Sequence, residues 1–91
     1  MTEKKLNVAR GARLRWDRVE ARHVLLSPER GLALSETATE IVKLCDGTLT
    51  ASGIAERCVE KYSVGERATI EADVRRMLDE LLSRGLVVEE P

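Results

Sequence analysis

Val24-Leu25-Leu26-Ser27-Pro28-Glu29-Arg30 is the stretch on which the fold depends. Its first half is β-compatible, with Val24 and Leu26 on one face and His23 and Leu25 on the other. Apolar groups on both faces make Arg22 to Leu26 the middle strand of a meander. Pro28 cannot donate to a ladder and presets φ for a turn. The chain therefore reverses over Ser27 to Arg30 into a third short strand, Gly31-Leu32-Ala33-Leu34, with Leu32 and Leu34 facing inward.

Towards the N-terminus, Arg13-Leu14-Arg15-Trp16-Asp17 alternates with the period of a half-buried strand. Leu14 and Trp16 fall on one face, Arg13 and Arg15 on the other, and Trp16 is expected to pack in the core or at the sheet edge. Asp17 to Ala21 is the polar connection. Residues 1–11, opening on Thr2-Glu3-Lys4-Lys5, read as a flexible arm, which leaves 12–91 as a single domain.

Towards the C-terminus, Ser35 is a good N-cap for a helix whose stripe is Ala38, Ile41, Val42 and Cys45. Gly47 in Leu44-Cys45-Asp46-Gly47 is expected to end it. Thr48-Leu49-Thr50 reads as a connection whose last residue caps a second helix. That helix carries Ile54, Ala55, Cys58, Val59 and Tyr62 on one face and is broken at Ser63-Val64-Gly65. A third helix, Glu66 to Ser83, has Ile70, Val74, Met77, Leu78, Leu81 and Leu82 on one stripe and stops at Arg84-Gly85. Leu86-Val87-Val88 reads either as a short strand or as a cover for the core. The expected fold is α+β and winged helix-turn-helix-like, a three-stranded antiparallel sheet followed by three helices.

Composition narrows the function. The 91 residues carry 15 basic and 16 acidic side chains, a net charge of −1 that supplies no general attraction to phosphate, so nucleic acid is a poor partner. The short apolar runs predict neither a membrane span nor a signal peptide, and the expected location is cytoplasmic. No catalytic residue, metal site or cofactor is expected. His23 is the lone histidine, without partners at triad or metal spacing. Cys45 and Cys58 lack the further ligands of a zinc site and read as packing thiols. Asp46 beside Cys45 disfavours a thiolate. The glycines do not cluster into a phosphate-cradling loop.

What remains is an edge. The outer strand of a three-stranded meander has free backbone donors and acceptors, which an extended peptide can take up as a further strand while its apolar side chains enter the space between sheet and helix. The same edge also suits homodimerisation, or protection by a loop.

In order and spacing, Arg13-Leu14-Arg15-Trp16-Asp17, Val24-Leu25-Leu26-Ser27-Pro28-Glu29, Leu34-Ser35-Glu36-Thr37-Ala38, Ile41, Leu44-Cys45-Asp46-Gly47, Asp73-Val74 and Arg84-Gly85-Leu86 resemble the PqqD family of peptide-binding domains. The likeness runs from about Gly11 to Val88. It implies a non-catalytic peptide chaperone, a recognition element for ribosomally made and modified peptides, in pyrroloquinoline quinone biosynthesis. It implies as partners the precursor peptide PqqA and the radical S-adenosylmethionine enzyme PqqE, with PqqC as an occasional fusion. It places the peptide against the third strand, here Arg30, Gly31, Leu32, Ala33 and Leu34, and the third helix around Asp73, Arg76 and Met77. The rim of that groove is expected to carry Arg30, Asp73 and Arg76. The alternative is a winged-helix DNA-binding or regulatory domain, which requires a basic face on an exposed helix and steep salt dependence.

Overall fold

The computed structural model describes residues 3–28, 31–62 and 66–90. The meander forms as its sequence directs. β2 (Arg13–Asp17), β3 (Arg22–Leu26) and β4 (Gly31–Ala33) pair antiparallel in that order, with Leu25 opposite Leu14 on one side and opposite Leu32 on the other. Directly opposed residues share a face. Leu14, Leu25 and Leu32 thus form one inward row, and Leu25 is fully buried.

Three helices follow: α1 (Glu36–Leu44), α2 (Ala51–Lys61) and α3 (Arg67–Ser83). Ser35 Oγ accepts the Ala38 N–H at 3.1 Å and Thr50 Oγ1 accepts the Gly53 N–H at 3.1 Å, the two expected caps. α3 ends in paired backbone bonds, Gly85 N–H to Leu82 C=O and Leu86 N–H to Leu81 C=O, both 3.0 Å, with Gly85 at φ +73°. This is the Schellman closure, in which buried Leu86 folds back beside buried Leu81. The helix stripes converge with Leu25 and Leu34 on one core that includes Ile41, Ile54, Val74 and Leu78. The break expected at Ser63-Val64-Gly65 lies outside the described residues.

A second sheet corrects the expectation of a flexible arm. β1 (Lys5–Val8) lies at the centre of a three-stranded antiparallel sheet between β5 (Asp46–Thr50) and β6 (Val87–Glu90). Leu6 is buried in the common core, and the Val8 N–H donates to the Cys45 carbonyl at 3.0 Å. The supposed connection Thr48-Leu49-Thr50 belongs to β5, and Leu86-Val87-Val88 leads into β6. Burying Leu6 and satisfying both edges of β1 outweighs the entropy of ordering a charged N-terminal stretch.

Two local expectations also change. α1 ends at Leu44 with Cys45 as its C-cap, so Gly47 is not the residue that stops it. Gly47 sits at φ +88° where the β1–β5 register slips, and a Cβ there would lie 3.3 Å from Asn7 Nδ2. Its missing side chain serves a strand irregularity. Trp16 does lie on the inward side of β2 but is 55% exposed, because the hairpin end projects past the core. Its ring meets His23 edge-on at 5.0 Å.

Candidate functional site

β4 pairs with β3 on one side only, through Val24–Ala33, Leu25–Leu32 and Leu26–Gly31. The Leu34 N–H extends the ladder by one bond, to the His23 carbonyl at 2.9 Å. No described strand occupies the other edge of β4. This edge is short because Pro28 precedes it and the Ser35 cap follows it.

Beside that edge runs a cleft of about 300 Å³ between β4 and α3. Leu32, Ala33 and Leu34 form one wall, Met77, Glu80 and Leu81 the other, with Ala38 and Ser35 at one end and Arg22 at its margin. Leu32 and Met77 are half-buried and pack against the core from opposite sides. Apolar side chains therefore floor the cleft while backbone groups line its β4 lip. Such a surface suits an extended peptide whose alternate side chains point downward.

The sequence-predicted site residues divide into groups. Leu32, Ala33, Leu34 and Met77 come together at the cleft. Gly31 begins the same strand. Asp73 and Arg76 do not line it; they hydrogen-bond to each other along the exposed face of α3, as an i, i+3 spacing permits. Arg30 lies outside the described residues. Sequence reasoning passed over Glu80, whose carboxylate accepts from Arg84 at 3.0 Å and is thereby held at the cleft. Glu80 follows Met77 by three positions, and that spacing is the signal that places it on the same side of α3.

A second, more polar cleft of about 420 Å³ lies at the hairpin end, between Trp16 and His23 on one side and Glu40, Lys43, Lys61 and Tyr62 on the other. Glu40 pairs with Lys61 at 2.9 Å, and that hydrogen bond holds the Glu40 carboxyl below its ordinary range. Neither cleft sets a nucleophile against a base. Among the described residues, no cluster of three or more His, Cys, Asp or Glu side chains is arranged to hold a metal ion, and no helix is long and apolar enough to cross a membrane.

Comparison with known proteins adds an independent line. Residues 22–87 match the PqqD family, described as coenzyme PQQ synthesis protein D. A "PqqA binding protein" of Rhodopseudomonas palustris is 42% identical over 80 residues, 88% of this chain and 78% of that protein. A bifunctional coenzyme PQQ synthesis protein C/D of Methylorubrum extorquens is 46% identical over 69 residues, 76% of this chain but 18% of the longer protein. Among solved structures, the PqqD truncation of Methylobacterium extorquens PqqCD, characterised as a stand-alone RiPP recognition element, superposes with a TM-score of 0.74. It is 39% identical, and the match covers 92% of this chain and 88% of that one. PqqD from Xanthomonas campestris gives a TM-score of 0.57 at 32% identity, over 84% and 83% of the two chains.

Proposed function

The chain belongs to the PqqD family, coenzyme PQQ synthesis protein D, and on that premise we propose that it is a non-catalytic peptide chaperone acting in the cytoplasm. It binds the precursor peptide PqqA and presents it to the radical S-adenosylmethionine enzyme PqqE. The observation that carries this reading is the edge of β4 that no described strand occupies, beside the apolar cleft against α3. The peptide adds as a strand, taking affinity from main-chain bonds to Gly31–Leu34 and selectivity from side chains seated between Leu32 and Met77. Glu80 and Arg22 at the margin, Asp73 and Arg76 beyond it, and the charge of Arg30 bias the encounter more than they hold the complex.

The relatives called PqqA binding proteins support the choice of peptide, and the bifunctional C/D protein supports a place beside protein C of the same biosynthesis. Titration of isotope-labelled protein with PqqA tests the reading. Amide shifts concentrated in β4 and α3 are expected. Shifts confined to α1 and α2, or an absence of binding, would reject it. The Leu34 N–H bond to the His23 carbonyl turns the Leu32 donor toward β3 and leaves the Ala33 donor at the free edge, so Ala33→Pro removes an edge-facing donor and should abolish pairing. Adding PqqE to the peptide complex should yield a ternary species in solution.

A further inference from the structure

The face of the β2–β3–β4 sheet turned away from the core is not the polar surface expected of a solvated sheet. Arg13 stands opposite Leu26 and Arg15 opposite Val24, while Leu26 and Val24 stand opposite Gly31 and Ala33. All six share one side, since directly opposed residues do. The centre of this face is apolar, its β2 margin carries Arg13 and Arg15, with the opposed Asp17 and Arg22 continuing the face at the hairpin end, and a shallow depression joins Arg13 and Arg15 to Leu26 and Pro28. Leu26 leans across Gly31, where a Cβ would come within 2.9 Å of Leu26 Cδ2, so the apolar patch reaches the β4 edge itself.

Charge distinguishes this region from the rest of the chain. Residues 10–22 hold five arginines and two carboxylates, a local balance of +3 within a chain of net −1. Arg13 and Arg15 are exposed, and neither forms an ion pair with another described residue. Elsewhere the exposed arginines Arg67, Arg75, Arg76 and Arg84 are engaged with carboxylates, and Arg57 on α2 stands singly, so Arg13 and Arg15 are the two that lie unpaired side by side on one strand. Guanidinium groups around an apolar centre match a protein surface that carries carboxylates around an apolar anchor.

We infer that this outer face docks a carboxylate-bearing surface of the enzyme that receives the peptide. The inference rests on the proposed chaperone role. A peptide added to β4 extends the same sheet, so an enzyme seated on Arg13, Arg15, Val24 and Leu26 lies directly alongside the bound strand. Peptide and enzyme then occupy an edge and a face that adjoin without overlapping.

The test is to titrate purified PqqE, with PqqA present, into the full chain and into Arg13→Glu/Arg15→Glu. The wild-type chain should bind, more weakly as salt rises, and the double variant should lose affinity by about tenfold or more while its PqqA affinity stays the same. Arg13→Lys/Arg15→Lys should recover part of the loss. Circular dichroism confirms that the variants fold. Equal binding by wild type and charge reversal would overturn the inference, as would an equal loss from Arg57→Glu on α2. Binding of PqqA with no binding of PqqE would overturn it while sparing the peptide half of the chaperone reading. Loss of PqqA binding by the wild-type chain would instead strike that reading. A doubled mass in solution abolished by the variant would assign the face to a second copy, and retention of duplex DNA at moderate salt would assign it to nucleic acid; either outcome overturns the inference.

Discussion

Leu32 of β4 and Met77 of α3 line opposite walls of one cleft, each half-buried and each packed against the core. A peptide side chain entering between them exchanges water for apolar contact on both sides. Met77→Glu places a carboxylate there and should weaken PqqA binding by at least about tenfold, the cost of leaving a charge partly desolvated. Isothermal titration measures it. Asp73→Asn, on a residue outside the cleft, should change affinity less than about threefold. Comparable losses from both would relocate the site towards the exposed face of α3.

Leu25 is the middle residue of the Leu14–Leu25–Leu32 row and is 0% exposed. Leu25→Ala should cost about 3 kcal/mol through lost burial and a residual cavity, lowering the melting midpoint by more than about 10 °C. Calorimetry supplies the number. Because the row carries both the meander and the floor under β4, weakened peptide binding should accompany the loss. A change below about 1 kcal/mol would mean that the site collapses around the smaller side chain.

The elements legible in the sequence are those whose signals are local. Pro28, the Ser35 and Thr50 caps and the helix stripes each act within a few residues, so the meander and the helices follow from them. β1 and β5 were not legible for the opposite reason. Lys5–Val8 offers only Leu6 and Val8 as apolar positions, and its pairing of Lys5 with Glu90 joins the two ends of the chain. Nothing within four residues encodes that. Periodicity placed Trp16 on the correct side of β2, but it reports direction and not how far the core extends along a strand. The β4 wall of the cleft was legible from Pro28 and the strand that follows. The α3 wall was less so, since a stripe six residues wide does not say which flank meets β4, and Asp73 and Arg76 satisfy each other instead of facing the cleft.

Ala21 closes the β2–β3 hairpin at φ +53°, where Asp17 Oδ1 accepts the Val19 and Glu20 N–H groups at 2.9 and 3.2 Å. A residue with a Cβ in this left-handed region is strained by about 1–2 kcal/mol. Glycine removes the strain but adds freedom to the unfolded chain, so Ala21→Gly should stabilise by roughly 0.5 kcal/mol and raise the midpoint by about 2–4 °C. Ala21→Val should lower it. If the glycine variant melts lower than wild type, the turn is not held in this conformation.

Glu3 ties the segment before β1 to α2 and α3, accepting the Ser52 N–H at 2.9 Å and Arg75 Nη1 at 3.2 Å. Hydrogen bonding from Ser52, aided by Arg75, holds its carboxyl down at about 2, against an ordinary 4.5. A carboxyl depressed on folding contributes stability above its unfolded value and loses it as pH falls through the window between about 4.5 and 2. The group is partly exposed, which limits the contribution to at most about 1 kcal/mol. Urea midpoints of wild type and Glu3→Gln should therefore differ near neutrality and converge in acid. A gap that persists at the acid end would show that the loss comes from packing and not from the charge.

Cys45 carries the most reactive group the sequence offers, and the structure makes it inert. Its Sγ donates to the Ile41 carbonyl at 3.3 Å, the residue is 2% exposed, and burial, reinforced by the neighbouring Asp46 carboxylate, pushes the thiol up to about 12. At pH 8 the thiolate fraction is then on the order of one in ten thousand, against roughly a quarter for an unperturbed thiol. Burial also raises the Cys58 thiol. A disulfide-exchange reagent should find no rapidly reacting thiol in the native protein and two in denaturant, with native labelling limited by opening of the core. Cys45→Ser should destabilise by about 1–3 kcal/mol, because a hydroxyl is more costly than a thiol to hold in an apolar site. Rapid labelling of native Cys45 would instead mean that the end of α1 opens to solvent on its own, and β1, whose Val8 N–H bonds to the Cys45 carbonyl, would open with it.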